Sequence, residues 1–295
     1  MSNINVANPV GLAAGFDKDY RMGSSLATLG FGYIVGGTVL LRPREGNPKP
    51  RLVRDKSIGA LTNSLGFPSQ GLEKIVRNLK SVDADTTKFI TSISGLSTEE
   101  FLTCYSELQP LSAGIELNIS SPNTEGIRVF QQIDHLKELL ISLNTMKTKP
   151  LFIKLPPYFN QDEKNHTHRM IDICLEYSID GLTLSNTRPV TDDRLAVGKG
   201  GLSGKPLLSH TIRIVQEIRA NYGQDITINA CGGISSGDNA LDLIAAGADT
   251  IQLYTGFIYE GPSIAKYINN HILLFMEKHG LTSLQELREM TGRRQ

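Results

Sequence analysis

The sequence has no tryptophan, only three cysteines and no excess of either charge, and each shortage removes a class of protein. Cys104, Cys174 and Cys231 are too few and too scattered for a disulfide framework or a four-cysteine cluster. A reducing, cytoplasmic setting is therefore expected, and an iron–sulfur centre would need another chain. Thirty Lys and Arg balance thirty Asp and Glu, so no basic field draws in nucleic acid or an anionic membrane. No apolar run approaches the roughly 20 residues of a membrane span. The opening MSNINVANPVGLAAG also lacks a charged region ahead of a long apolar core. What these absences leave is a protein whose partner is a small molecule.

The composition that remains, 40% hydrophobic and 20% charged residues, supports an ample core. The chain of 295 residues exceeds a usual single domain, but α/β barrels reach this length as one unit, so 1–295 is read as one domain. Short apolar runs alternate with helical patterns. Strands are expected at 10–15, 33–39, 89–93, 114–119, 151–155, 181–185, 226–230 and 250–254. Helices are expected at 22–29, 70–79, 98–106, 133–144, 166–177, 209–222, 239–246 and 262–279. Eight such units close a (β/α)₈ TIM barrel. A doubly wound open sheet is disfavoured because no GxGxxG follows the first strand. Residues 42–50, RPREGNPKP, read as an irregular excursion, 51–62 as a short hairpin and 187–206 as a polar insertion. A capping box, Ser283 to Glu286, starts a short C-terminal helix at 284–290.

The centre of the chain is ELNISSPNT, 116–124, an apolar run that ends abruptly in amides, hydroxyls and proline. Such an end also suits a simple Asx or Ser turn. Other strands, however, end in the same kind of polar cluster, and in a barrel those ends share one face. Reading them collects Lys18, Asn63, Asn118, Ser121, Asn123, Lys154, Asn186 and Thr187. Many neutral amides, two cations and few carboxylates suit an anionic, amide-bearing ring, with Ser121 as base. The set lacks the paired acids of glycoside hydrolysis and any histidine and carboxylate cluster for a metal. In the last third, 200–204, 232–233 and 254–256 place glycines where late barrel loops cradle phosphate through backbone N–H groups. Together they point to a phosphate-bearing cofactor.

These stretches resemble the dihydroorotate dehydrogenases, FMN-containing barrels of pyrimidine synthesis, and most closely their serine-base class. The matching segments are NPVGLAAGFDK, FGYIVGGTV, RPREGNPKPRL, NSLGF, NISSPNTEGIR, FIKLPP, SNT, GGLSGKPL, ACGGISSGDNALDLIAAGA and QLYTGFIYEGP. They run from residue 8 to about residue 268. The resemblance implies oxidation of (S)-dihydroorotate to orotate in de novo UMP synthesis. It places FMN against Ala13, Ala14, Gly15, Gly37, Thr38, Asn118, Lys154, Ser185, Ser203, Gly204, Gly232, Gly233, Tyr254 and Thr255. It places substrate against Lys18, Asn63, Asn118, Asn123, Asn186 and Thr187. Ser121 takes the position of the base, with Thr124 and Phe67 holding the water that carries its proton onward, because a serine hydroxyl is a poor base without a relay.

The chain departs from the family pattern at Ser64, where an arginine is usual, and at Pro68 and Ser92, where asparagines are usual. Those departures support a second reading, an FMN barrel acting on another ring. A flavin-binding homologue without turnover is the third. The resemblance leaves the electron acceptor open, and allows a homodimer or an accessory electron-transfer subunit. Of the remaining residues, Cys231 reads as a small apolar filler at a strand end. His166 and His168 lack a third metal ligand, and Arg42, Arg44, Lys49 and Arg51 read as a solvated loop or a lid over an anionic substrate.

Overall fold

The computed structural model describes residues 1–2, 4–82, 88–121 and 126–292. The chain enters on β1 (Val10–Leu12), α1 (Gly23–Ala27) and β2 (Tyr33–Val39), then makes a hairpin of β3 (Leu52–Asp55) and β4 (Ala60–Asn63). After α2 (Leu72–Leu79) come β5 (Lys88–Ile93), α3 (Thr98–Leu108), β6 (Gly114–Asn118), α4 (Ile133–Asn144) and β7 (Leu151–Lys154). Next are α5 (Gln161–Glu176) and β8 (Gly181–Leu184), then a second excursion, β9 (Arg188–Thr191) and β10 (Lys199–Gly204), leading into α6 (Leu208–Tyr222). The chain finishes with β11 (Thr227–Cys231), α7 (Gly237–Ala245), β12 (Thr250–Leu253), α8 (Thr255–Glu260), α9 (Ile264–His279) and α10 (Leu284–Gly292).

Eight of these strands form a closed barrel in the order β1-β12-β11-β8-β7-β6-β5-β2. Every neighbouring pair is parallel. Strands covered on both faces read as largely apolar runs: all of YIVGGTV in β2 and all of LFIK in β7 are buried, Lys154 at the end of β7 included. The helices bury one stripe each. In α4 it is Leu136, Leu139, Leu140 and Leu143, the three- and four-residue spacing that puts side chains on one helical face. The lower interior of the barrel is filled by Ile4, Tyr33, Val35, Ile90 and Phe152.

Three expectations are corrected. Helix α5 begins at Gln161 rather than 166, because Asn160 caps it by accepting from Glu163 N at 2.9 Å, while Glu163 Oε2 accepts from Phe159 N at 2.7 Å. That reciprocal cap stabilises a first turn with no apolar stripe to announce it. The helix expected over 262–279 is preceded by the separate short helix α8. The hairpin and the polar insertion are not independent: they pair as one antiparallel sheet, β3-β4-β10-β9, with Gly201 opposite Asn63 and Gly204 opposite Ala60. Among the described residues no helix is long and apolar enough to cross a membrane.

Candidate active site

The strand ends open into a cavity of about 1090 Å³, including its open mouth. Each wall comes from a strand end. Ala13, Ala14 and Gly15 follow β1, Thr38 lies in β2, Asn118 ends β6, and Lys154 ends β7. Ser185, Asn186 and Thr187 follow β8, Gly232 and Gly233 follow β11, and Tyr254 and Thr255 follow β12. Lys18, Phe67 and Ser121 enter on loops, and the excursion sheet brings Asn63, Ser203 and Gly204. Residues scattered over the whole chain therefore meet at one mouth.

A hydrogen-bonded belt sets their orientation. Ser92 on β5 bonds the Thr38 hydroxyl at 3.1 Å, and Asn118 Nδ2 donates to Thr38 Oγ1 at 3.0 Å. Asn186 Nδ2 donates to Ser120 Oγ at 3.0 Å, and its Oδ1 accepts from Thr187 N at 2.8 Å. Ser121 follows directly on Ser120 and is buried against the cavity. Asn63 Nδ2 donates to Gly201 O at 3.3 Å within the excursion sheet, and Ser203 shares a 2.8 Å bond with Thr255, which fastens that sheet to the start of α8 after β12.

Two lysines supply its charge. Burial, with Arg51 nearby, lowers Lys18 from its ordinary value to about 8, against the pull of Asp19. Just before it, Asp17 fixes the loop by accepting from Arg21 N and Met22 N at 2.9 and 3.1 Å. Lys154 is 6% exposed. Burial works against its charge, but the acidic neighbours Cys231 and Glu116 outweigh it and the ammonium is held above its ordinary value. Its hydrogen-bond partner in the protein is Cys231 Sγ, a weak acceptor at 3.9 Å.

Of the residues expected at the site, Asn123 and Thr124 lie outside the described residues, and Gly37 is not in the cavity wall. Gly37 sits behind the wall instead, its carbonyl accepting from Gly15 N at 2.8 Å. Cys231, read as a filler, lines the cavity beside Lys154. None of Arg42, Arg44, Lys49 and Arg51 lines the cavity, and Arg51 braces its own loop through Glu45 O and Asn47 O at 2.7 and 3.1 Å. Ser64 and Pro68 also stand off the wall, while Ser92 acts through Thr38. Sequence reasoning missed Gln252 and the apolar side made by Leu52, Leu61 and Leu65. A glutamine inside the apolar run TIQL was the available signal.

The fold matches solved structures over nearly its full length. The ferulenol complex of DHODH from Eimeria tenella superposes with a TM-score of 0.87 at 29% identity, covering 95% of this chain and 84% of that one. Among curated relatives, "Dihydroorotate dehydrogenase (quinone)" of Coxiella burnetii (strain Dugway 5J108-111) is 37% identical over 290 residues, 92% of this chain and 83% of that protein. The protein of the same name from Alkalilimnicola ehrlichii is 36% identical over 278 residues, 88% and 81% of the two chains. The family model described as dihydroorotate dehydrogenase spans residues 1–276, and with the barrel and strand-end site above it the chain belongs to the dihydroorotate dehydrogenase family of oxidoreductases.

Proposed function

We propose that this chain oxidises dihydroorotate to orotate with FMN, and that Ser121 is the base. The observation that carries the reading is the meeting of Ser121, Lys18, Asn63 and Asn186 in one cavity. Lys18 supplies a cation for the substrate carboxylate, and the Asn63, Asn118 and Asn186 amides match the ring's own donors and acceptors. Those contacts hold the ring carbon that loses its proton against the Ser121 hydroxyl. Phe67 closes one side, and Thr124 is assigned to the onward proton relay by the motif alone.

The cavity suits FMN on three counts. Gly232 and Gly233 have φ of +139° and +86°, and a Cβ on Gly232 would meet Thr211 Oγ1 at 2.7 Å, so this turn is built for bare backbone. Lys154 has donors to spare beyond its thiol contact. The hydroxyls of Ser203 and Thr255 stand together on the late-strand side. When bound, FMN supplies the hydride acceptor. Gly15, Thr38, Asn118 and Ser185 would hold the ring side, with Lys154 placing positive charge where electron density accumulates, and Ser203, Gly204, Gly232, Gly233, Tyr254 and Thr255 would hold the phosphate side. The relatives' names specify a quinone. The apolar side of Leu52, Leu61 and Leu65 suits such an acceptor, which is checked by comparing a soluble quinone with fumarate as oxidant.

The test is anaerobic titration of the purified yellow protein with dihydroorotate, followed by flavin absorbance. Bleaching is expected. The Ser121→Ala protein should retain its flavin and lose rapid bleaching, on the order of the 10²–10⁴-fold that a positioned base contributes. Undiminished reduction by that variant removes Ser121 from the role.

A further inference from the structure

Below the cavity floor lies an acidic side chain that the proposed reaction does not use. Glu116 is in the middle of β6, in GIELN, and is 1% exposed. Its Oε2 accepts from Thr183 Oγ1 on β8 at 2.7 Å. Because β7 separates those two strands in the sheet, the bond crosses the barrel interior and the carboxylate lies inside it. The other oxygen, Oε1, is buried and makes no hydrogen bond among the described residues. A carboxylate is costly to bury without a cation to balance it.

The register identifies that cation. Asn118 is paired with Lys154, and Glu116 with Phe152 two residues earlier. Side chains two apart on a strand face the same side, so Glu116 sits one layer beneath Asn118 and the Lys154 ammonium. Lys154 in turn crosses to Cys231 on β11, skipping β8. The acidic groups acting on Lys154 are Cys231 from β11 and Glu116 from β6, and the same two act on Tyr33 from β2. The thiol, the larger of the two acidic influences on Lys154, is itself pushed up by burial and is neutral near pH 7, so at that pH Glu116 is the acidic neighbour left to balance Lys154.

We propose that Glu116 is a positioning residue, a buried counter-charge one layer below the site that keeps Lys154 cationic and presented to the cavity. The purpose of that arrangement rests on the FMN reading, but the pairing does not. In the enzyme, the pair keeps a lysine charged in an apolar interior without placing an anion at the cavity wall, so the ammonium stays available to electron density gathering above it.

The test follows the Lys154 side-chain nitrogen by NMR of ¹⁵N-lysine-labelled protein over pH, with the signal assigned by Lys154→Arg. In the unaltered protein Lys154 should stay protonated beyond the ordinary lysine value of about 10.4, and titration well below that value overturns the proposal without any variant. Glu116→Gln keeps an acceptor for Thr183, and in it Lys154 should deprotonate at a proton concentration at least tenfold higher. An unchanged titration, or a shift seen only in Cys231→Ser, overturns the pairing. The measurement needs no turnover, so failure of the FMN reading would appear separately, as a colourless protein in which the Lys154 titration still responds to Glu116.

Discussion

At the scale of single residues, the site depends on charges kept in unfavourable places. Lys18 titrates near pH 8 because burial disfavours its ammonium. In the unfolded chain it holds its proton to about 10.4. Between those values the unfolded state binds more protons, so this group's contribution to stability rises with pH, and the full penalty of burying the charge is felt below about 8. On the proposed reading function runs the other way, since a neutral Lys18 would not pair with the substrate carboxylate. For dihydroorotate, kcat/KM should be level up to about pH 8 and then fall up to tenfold per pH unit. Lys18→Met should raise KM by roughly 10–100-fold, the equivalent of one charge-assisted contact, and remove that descending limb. Steady-state kinetics from pH 6 to 10 with both proteins checks the slope and its origin together.

At the scale of elements, legibility in the sequence followed how each element is buried. The parallel strands were readable because both faces are covered, which forces mostly apolar runs such as LFIK and TIQL, each with one residue that reaches the site. The pairing of the two excursions was not readable. β3 is half exposed, and KGGLSG in β10 has the composition of a loop, so its strand character comes from its partners, β9 nearby and β4 far away in sequence. The same logic divides the site. Strand-end residues could be collected once the barrel was counted, whereas Glu116 and Gln252 are hidden inside strands, where only a polar residue in an apolar run betrays them.

The fastening of α10 gives a prediction at this scale. Arg219 is 8% exposed and its guanidinium donates to Gly247 O, Gly223 O, Ile226 O and Asp249 Oδ2. Arg288 of α10 bonds the other Asp249 oxygen, and Asp249 Oδ2 also accepts from Ile228 N at 2.8 Å. One carboxylate therefore ties α6, β11 and α10 together at the bottom of the barrel. Removing it leaves a buried guanidinium unbalanced, which costs about 3–5 kcal/mol at fully buried sites. Because Asp249 is 24% exposed, Asp249→Ala should cost less, roughly 2–3 kcal/mol. Urea denaturation measures the loss, and hydrogen exchange should show it concentrated in α10, with the dihydroorotate KM unchanged.

At the scale of the whole molecule, the barrel interior has a vertical division of labour. Its base is largely apolar, with Ile4 packed against Tyr33, Val35, Ile90 and Phe152. Its top is polar and open, with Lys154, Asn118 and Thr38 at the cavity. The N-terminal face of such a barrel secures the fold and the C-terminal face performs the chemistry, so the two should be separable energetically. Ile4→Ala removes a side chain that is 6% exposed at the base and should cost about 2–3 kcal/mol, the low end for emptying a core position. FMN at a hundred times its Kd should add about 2.7 kcal/mol to a protein that binds it only when folded. Because Ile4 does not itself line the cavity, that FMN increment should be the same in the variant as in the unaltered chain, to within about 0.5 kcal/mol. Urea unfolding of both proteins with and without FMN completes the cycle. A larger discrepancy would mean that packing at the base is transmitted through the buried strands to the cavity, and that the two ends of the barrel are one cooperative unit.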